Sequence, residues 1–297
     1  NKCPINTKFA VIANWPHYDE WPHDHLCWDG SVQCYDSDCP IRVPNQLISG
    51  YGQSLYFDGL NDKVTIPFSQ DLNPNNFTVM LWVNMSATDA SGKKALVVSL
   101  DNSLITDQRG YSIELGTTNE LIFSLYNGSQ DQVFVMNQIP FNKWTHLAVT
   151  YSDDNKKAAV YINGIQAVTP QDASFSPNQS ADMIIGSFQD QYYFNGRIDE
   201  VSIWDVALTA EQVNAKMGSL YSKTADNLIG YWHMDHVGNA NTDLVDFINN
   251  NHPGILSGYN SQFNHPDSSW KKSGLRQKFI AVEDELFEGS LYGYEVD

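Results

Sequence analysis

Short runs in which apolar and polar residues alternate, or β-branched residues cluster, recur through the middle of the chain. They are SLYF at 54–57, KVTI at 63–66, FTVMLWV at 77–83, ALVVSL at 95–100 and YSIEL at 111–115. LIFSLY at 121–126, VFVM at 133–136, WTHLAVTY at 144–151, KAAVYI at 157–162 and RIDEVSIW at 197–204 continue the series. Turn residues separate the runs, and many short strands spaced this way predict an antiparallel sandwich or barrel. Asn127-Gly128 and Asn163-Gly164 each stand between two runs. Both residue types tolerate positive φ, so each pair predicts a tight hairpin turn. One helix is predicted from LTAEQV at 208–213. Thr209 and Gln212 form a capping box there, and Leu208 and Val213 a hydrophobic staple. Gly218 is the expected left-handed stop. So brief a helix can only cover one edge of a sandwich.

Composition narrows the classes. A chain of 297 residues holds one large β domain with extensions or two modest ones. Eight Trp, fifteen Tyr and fourteen Phe are enough rings for a substantial core. The 35 acidic against 17 basic residues leave a net charge of −18. That surface repels phosphate backbones, which argues against a nucleic-acid partner, and it attracts divalent cations. No apolar run reaches the length of a membrane-spanning helix. The chain opens on Asn1 without an initiator Met, as expected of a processed product.

Two features point outside the cytosol. Cys3, Cys27, Cys34 and Cys39 all fall in one short segment. An even number so confined reads as two disulfides with the connectivity open, Cys3–Cys39 with Cys27–Cys34 being favoured. A metal site with His17, His23 and His25 is the rival, but the cysteine spacings match no usual zinc pattern. The second feature is four N-x-S/T sequons, at Asn76, Asn84, Asn127 and Asn178. Together these predict a secreted or cell-surface glycoprotein.

The residues also carry a family resemblance. SLYFDGLNDKVTIP at 54–67, NFTVMLWV at 76–83, FNKWTHLAVTYSDDNKKAAVYINGIQ at 141–166 and MIIGSF…FNGRIDEVSIWDVALTAEQV at 183–213 stand in order. They resemble a laminin-G-like module of the concanavalin-A-like jelly-roll superfamily, and the last stretch is also similar to the pentraxins. The resemblance implies an all-β, two-sheet antiparallel jelly roll with one short helix. It suggests a Cys-rich segment at 1–50 supplying a first strand, a jelly roll at 51–227, and a C-terminal extension and tail at 228–297. LIGYWHMD at 228–235 resembles the opening of such modules, so the extension is either an added strand layer or a truncated unit.

The same resemblance implies calcium. A structural ion in this superfamily often joins an FDG-type strand to the carboxylate of an I-D-E-V strand, which here means Asp58, Gly59 and Asp199. Oxygen donors suit such a hard cation. A weaker second site, similar to the pentraxin ligand site, would use Asn119, Gln189 and Asp190. Thr118 and Phe188 stand there where carboxylates are expected, which lowers cation affinity.

Catalytic constellations are missing. Asp199 and Asp205 are too far apart along one strand to flank a glycosidic bond. Neither G-x-S-x-G nor a P-loop occurs, and His146 sits mid-strand among apolar neighbours. The chain is therefore read as a non-enzyme of one of two kinds. The preferred one is a structural or adhesive subunit forming homo-oligomers or polymers. Its evidence is the β-prone tail KFIAVEDELFEGSLYGYEVD, through Phe279, Ile280, Val282, Leu286 and Phe287. The alternative is a calcium-dependent glycan-binding module that stacks sugars on Tyr192, Tyr193 and Phe194.

Overall fold

The computed structural model describes residues 53–87, 92–101, 107–129, 131–219, 221–234, 243–248 and 251–258, with short strand backbones at 25–26, 32–33 and 270–272. In chain order the strands are β1 (His25–Leu26), β2 (Val32–Gln33), β3 (Gln53–Asp58), β4 (Lys63–Ile66), β5 (Phe77–Met85) and β6 (Lys94–Leu100). Next come β7 (Arg109–Leu115), β8 (Glu120–Asn127), β9 (Asp131–Gln138), β10 (Thr145–Ser152), β11 (Lys157–Ile162) and β12 (Ile165–Asp172). β13 (Met183–Ile185), β14 (Asn195–Trp204), helix α1 (Ala210–Lys216), β15 (Leu228–Trp232), β16 (Asp243–Leu244), β17 (Gly254–Ser257) and β18 (Trp270–Lys272) complete the list.

β1 and β2 pair with each other in an N-terminal unit. All the other strands form two antiparallel sheets. The first runs β12-β11-β10-β5-β14-β3-β18, with β15 also on β14; the second runs β16-β17-β4-β13-β6-β7-β8-β9. All ten predicted strand runs are strands here. Described strands past residue 227 join the two sheets, since β15 pairs with β14 and β17 with β4.

Period-two alternation makes the sandwich. In β5, Val79, Leu81 and Val83 point inward, and β10 sets Val149 and Leu147 beside the first two of them. From the second sheet Val64, Ile66, Ile113, Phe123 and Ile185 meet them. Phe77 ties the layers together, stacking on Tyr111 at 4.9 Å and packing on Phe175 at 5.1 Å. Each such buried side chain contributes roughly 1.5–3 kcal/mol of apolar burial.

The outer face of the first sheet is covered along part of its length. Met80, Ala148, Tyr161, Trp204 and Tyr231 are buried under Leu208, Val213 and Tyr221, beside α1. The capping box forms as expected: Gln212 N–H donates to Thr209 Oγ1 at 3.3 Å, and Thr209 N–H to Gln212 Oε1 at 2.9 Å. The predicted left-handed stop does not. Met217 is right-handed, and Gly218 is not among the positive-φ glycines. Side chains serve the terminal carbonyls instead, Trp82 Nε1 donating to Met217 O at 3.0 Å and Tyr221 hydroxyl to Lys216 O at 3.1 Å.

Asn163-Gly164 is the expected hairpin, with φ of 51° and 73°. Asn127-Gly128 is not, because only Gly128 has positive φ. Asn127 ends β8, and its Oδ1 accepts from Ser129 N–H at 2.9 Å, which fixes a longer connection.

Candidate binding site

β14 changes partner midway. Asn195–Ile198 pair with β3, while Val201–Trp204 pair with β15. A bulge at the changeover holds Glu200 at φ 53°. Beyond the bulge, towards Trp204, the outer face is the covered aromatic layer. On the other side, Tyr56, Arg197 and Asn84 lie in register on β3, β14 and β5. The neighbours of all three along their strands point into the core or are glycine, so these side chains face outward.

They line a cavity of about 300 Å³ with Ser86, Asn142 and Gly196. The loop that brings Asn142 is held by its N–H donating to Met85 O at 2.8 Å, and Ser86 N–H donates to Asn195 O at 3.0 Å. Gly196 is required: a Cβ there would lie 2.4 Å from Asn84 O. One aromatic ring, two carboxamides, a hydroxyl and one guanidinium thus converge. Among the described residues Arg197 is the only charged group lining the cavity, in a chain of net charge −18. Such a set offers stacking plus paired donors and acceptors.

The calcium donors do not converge. Asp58 lies opposite Asn195 and Asp199 opposite Trp82, four residues further along β14. That is roughly 13 Å at the rise of a strand, too far for ligands of one ion. Asp199 is fully buried, and its Oδ1 accepts from Glu200 N–H at 2.9 Å. Asp58 Oδ1 instead accepts from Leu60 N–H at 2.8 Å, closing the turn at Gly59 (φ 80°). Asp62, which the sequence reading passed over, completes that turn by accepting from Asp58 N–H at 2.8 Å. Burial first, and then the Asp58 carboxylate, push the Asp62 carboxyl up to about 7.

The second set is also apart. Gln189 and Asp190 are the central residues of a tight turn closed between Phe188 and Gln191, and Asp190 pairs with Lys63. Asn119 is buried in the β7–β8 turn, its Oδ1 without a hydrogen-bond partner. β6 and β7 lie between that turn and the Tyr192 backbone, which bonds Ala95. Among the described residues no group of three or more His, Cys, Asp or Glu is placed to hold a metal ion. Neither donor set fits calcium.

The aromatic loop divides. Tyr192 is 41% exposed and Tyr193 partly buried. Phe194 is fully buried against Phe57 at 6.1 Å, which removes it from any sugar platform. The sequons divide too. Asn76, Asn84 and Asn127 are partly exposed. Asn178 is fully buried, its Nδ2 donating to Ala181 O at 2.7 Å and Ser99 Oγ at 3.1 Å, so this fold has no room for a glycan there. The four cysteines and the tail residues Phe279, Ile280, Val282, Leu286 and Phe287 lie outside the described residues.

Two further polar groups were not foreseen. His252 Nδ1 lies 3.1 Å from Asp246 Oδ2, and its Nε2 lies 3.1 Å from Asp71 Oδ2. A hydrogen bond to Asp246 is the main cause that raises the His252 pKa, against the effect of burial. With carboxylates on both nitrogens, the ring activates no nucleophile. Glu200, also buried, accepts from the Tyr231 hydroxyl. His146 is pushed down to about 3 by burial and rests edge-on against Trp82 at 5.2 Å, a neutral ring in a wall.

Comparison with known proteins agrees with this architecture. The chain is similar to human pentraxin-related protein PTX3, 23% identical over 168 residues covering 52% of this chain and 42% of that protein. It is similar to human pappalysin-1, 25% identical over 213 residues covering 65% of this chain and 13% of that protein. The chain thus spans less than half the length of these curated relatives. Among solved structures, a putative carbohydrate binding protein from Bacteroides ovatus aligns with a TM-score of 0.56 at 19% identity, covering 70% of this chain and 58% of the other. The family profile described as the concanavalin A-like lectin/glucanases superfamily, of laminin-G type, matches residues 57–214, more than half of the chain. With the two-sheet jelly roll and its register, this match shows that the chain belongs to that laminin-G-like family of the concanavalin A-like superfamily.

Proposed function

We propose that the jelly roll is a non-catalytic carbohydrate-recognition module of an extracellular protein, binding through the outer-face cavity of the first sheet. The observation that carries this reading is the in-register row Tyr56–Arg197–Asn84, which lines one cavity with Asn142. A ring face for stacking, flanked by amide and guanidinium groups for hydroxyls, is the chemistry a sugar needs. The size, about 300 Å³, suits the end of a glycan better than a length of polymer. A non-catalytic role is supported by the absence, among the described residues, of paired carboxylates around this cavity. An extracellular setting is supported by the clustered cysteines and by the three partly exposed sequons.

Asn84 gives the proposal a sharp edge, because it belongs both to a sequon and to the cavity. A glycan on Asn84 would fill the site. The test is glycan-array binding by the native chain, followed by Tyr56→Ala and Arg197→Ala. Each variant is expected to weaken binding at least about tenfold, the loss of one stacking or charge-assisted contact. Glycopeptide mapping is expected to find Asn84 unmodified. Binding untouched by both variants, or a glycan on Asn84, would refute the proposal.

A further inference from the structure

The ends of the two sheets differ in how they are protected. β16 and β18 have two and three residues, too short to template a partner. β12 is longer, but it carries Pro170 and its Asp172 pairs with Lys157 on β11. β9 is the exception among the described strands. It closes the second sheet with eight residues, DQVFVMNQ, containing neither Pro nor Lys and one charge at its start. Val133 and Val135 are 57% and 60% exposed. Between them Phe134 turns inward and stacks on Phe123 at 5.7 Å. The edge is therefore firmly seated on the core yet apolar on its open side.

We propose that β9 is a self-association edge, pairing antiparallel with β9 of a second copy of this chain about a two-fold axis through Phe134. The sequence is self-complementary in that register. Val133 faces the second copy's Val135 on both sides of the axis, Gln132 faces Met136, and Asp131 faces Asn137. No like charges meet, although each chain carries −18 overall. A centre on Phe134 is compatible with either hydrogen-bonding phase of the strand, because antiparallel pairs alternate between bonded and non-bonded positions. A second copy is thus the occupant that this edge matches residue by residue. The two acidic bodies repel over distances that salt screens, so association strengthens as ionic strength rises.

Sedimentation velocity on the full chain tests the pairing. The native chain is expected to show a concentration-dependent dimer that salt stabilises. Val133→Asp with Val135→Asp places two acids opposite two acids and is expected to weaken the dimer at least about tenfold. Val133→Lys with Val135→Asp places each introduced lysine opposite an introduced acid, and is expected to restore dimerisation. Both valines are more than half exposed, so circular dichroism of the variants should match the native chain. A native monomer at every concentration would overturn the proposal, and so would equal dimerisation of both variants. Failure of the lysine–aspartate variant to recover would overturn the two-fold register. Binding of a peptide spanning residues 278–297 to this edge would show the occupant to be the chain's own tail.

Discussion

Replacing His252 by alanine removes the side chain that bridges two carboxylates from distant parts of the fold. Asp71 belongs to the 3-10 turn Gln70–Leu72 between β4 and β5, while Asp246 follows β16. The Asp246 side chain is fully buried, that of His252 is 4% exposed, and that of Asp71 is 60% exposed. Asp246 Oδ1 already accepts from Tyr231 and Ile248 N–H, each at 3.2 Å, so Oδ2 depends on the imidazole. Removing one partner of a buried pair costs about 3–5 kcal/mol, whereas the solvent-facing Asp71 contact adds only about 0–1 kcal/mol. His252→Ala is therefore expected to cost about 3–5 kcal/mol, or roughly 6–20 °C at 2–4 °C per kcal/mol. The effect depends on pH. The His252 pKa is raised from 6.5, so its charge-linked contribution is complete below that value and fades as pH rises through the folded-state pKa. For Asp71, burial pushes upward, but the Ser69 hydrogen bond and the charge and hydrogen bond of His252 outweigh it, leaving its pKa below 3.8. That share is complete above 3.8 and fades as pH falls through the lowered value. The difference between native and variant chains in urea denaturation should thus be largest between pH 3.8 and 6.5 and shrink in alkali. A cost below about 1 kcal/mol, or one that is flat with pH, would refute the bridge as a charged clamp.

Asp62→Asn acts in the opposite sense. The buried carboxyl has its pKa raised from 3.8 to about 7, so native stability is lost as pH climbs through that window. The amide is expected to flatten the loss and to stabilise the chain by roughly 2 kcal/mol at pH 8, after discounting for solvent at the rim; thermal melts across pH check this. Asn178→Ala should cost roughly 2–4 kcal/mol in denaturant titrations, because Ser99 and the 180–181 backbone lose buried partners. Glycopeptide mapping of the native protein should find Asn178 bare; a glycan there would contradict the packing described.

Strands were legible because alternation is a local property. KVTI at 63–66 and KAAVYI at 157–162 are strands to the residue. β12 escaped notice because both of its faces are largely exposed, so no alternation marks it. The helix start could be read from Thr209 and Gln212, since a capping box is a short-range device. Its end could not, because Trp82 caps it from 135 residues away. The placing of the calcium donors was hidden for the same reason. Nothing local to RIDEV says that β3 meets β14 at Asn195 rather than at Asp199, and that offset alone separates the supposed calcium donors. Phe194 looked like part of an exposed aromatic trio, but strand parity turned it into the core. Tyr56, Asn84 and Arg197 carry no signal until register sets them side by side.

That register also explains why the cavity is where it is. A sheet buried on both faces needs a second layer, and among the described residues that layer lies beyond the Glu200 bulge, where Trp204 and Tyr231 meet Leu208, Val213 and Tyr221. At the bulge β14 exchanges β3 for β15, so one strand serves two environments. Its Val201–Trp204 half lies beneath the helix-side layer, and its Asn195–Ile198 half presents Arg197 between Tyr56 and Asn84. Wall and floor are therefore stiff: Gly196 lets β14 approach the β5 backbone, and Met85 holds the Asn142 loop. A binding site made of strand positions loses little entropy on engaging a ligand, because its side chains are already confined by a paired backbone. The proposed recognition rests on a preorganised sheet face, the Tyr56–Arg197–Asn84 row set by strand register.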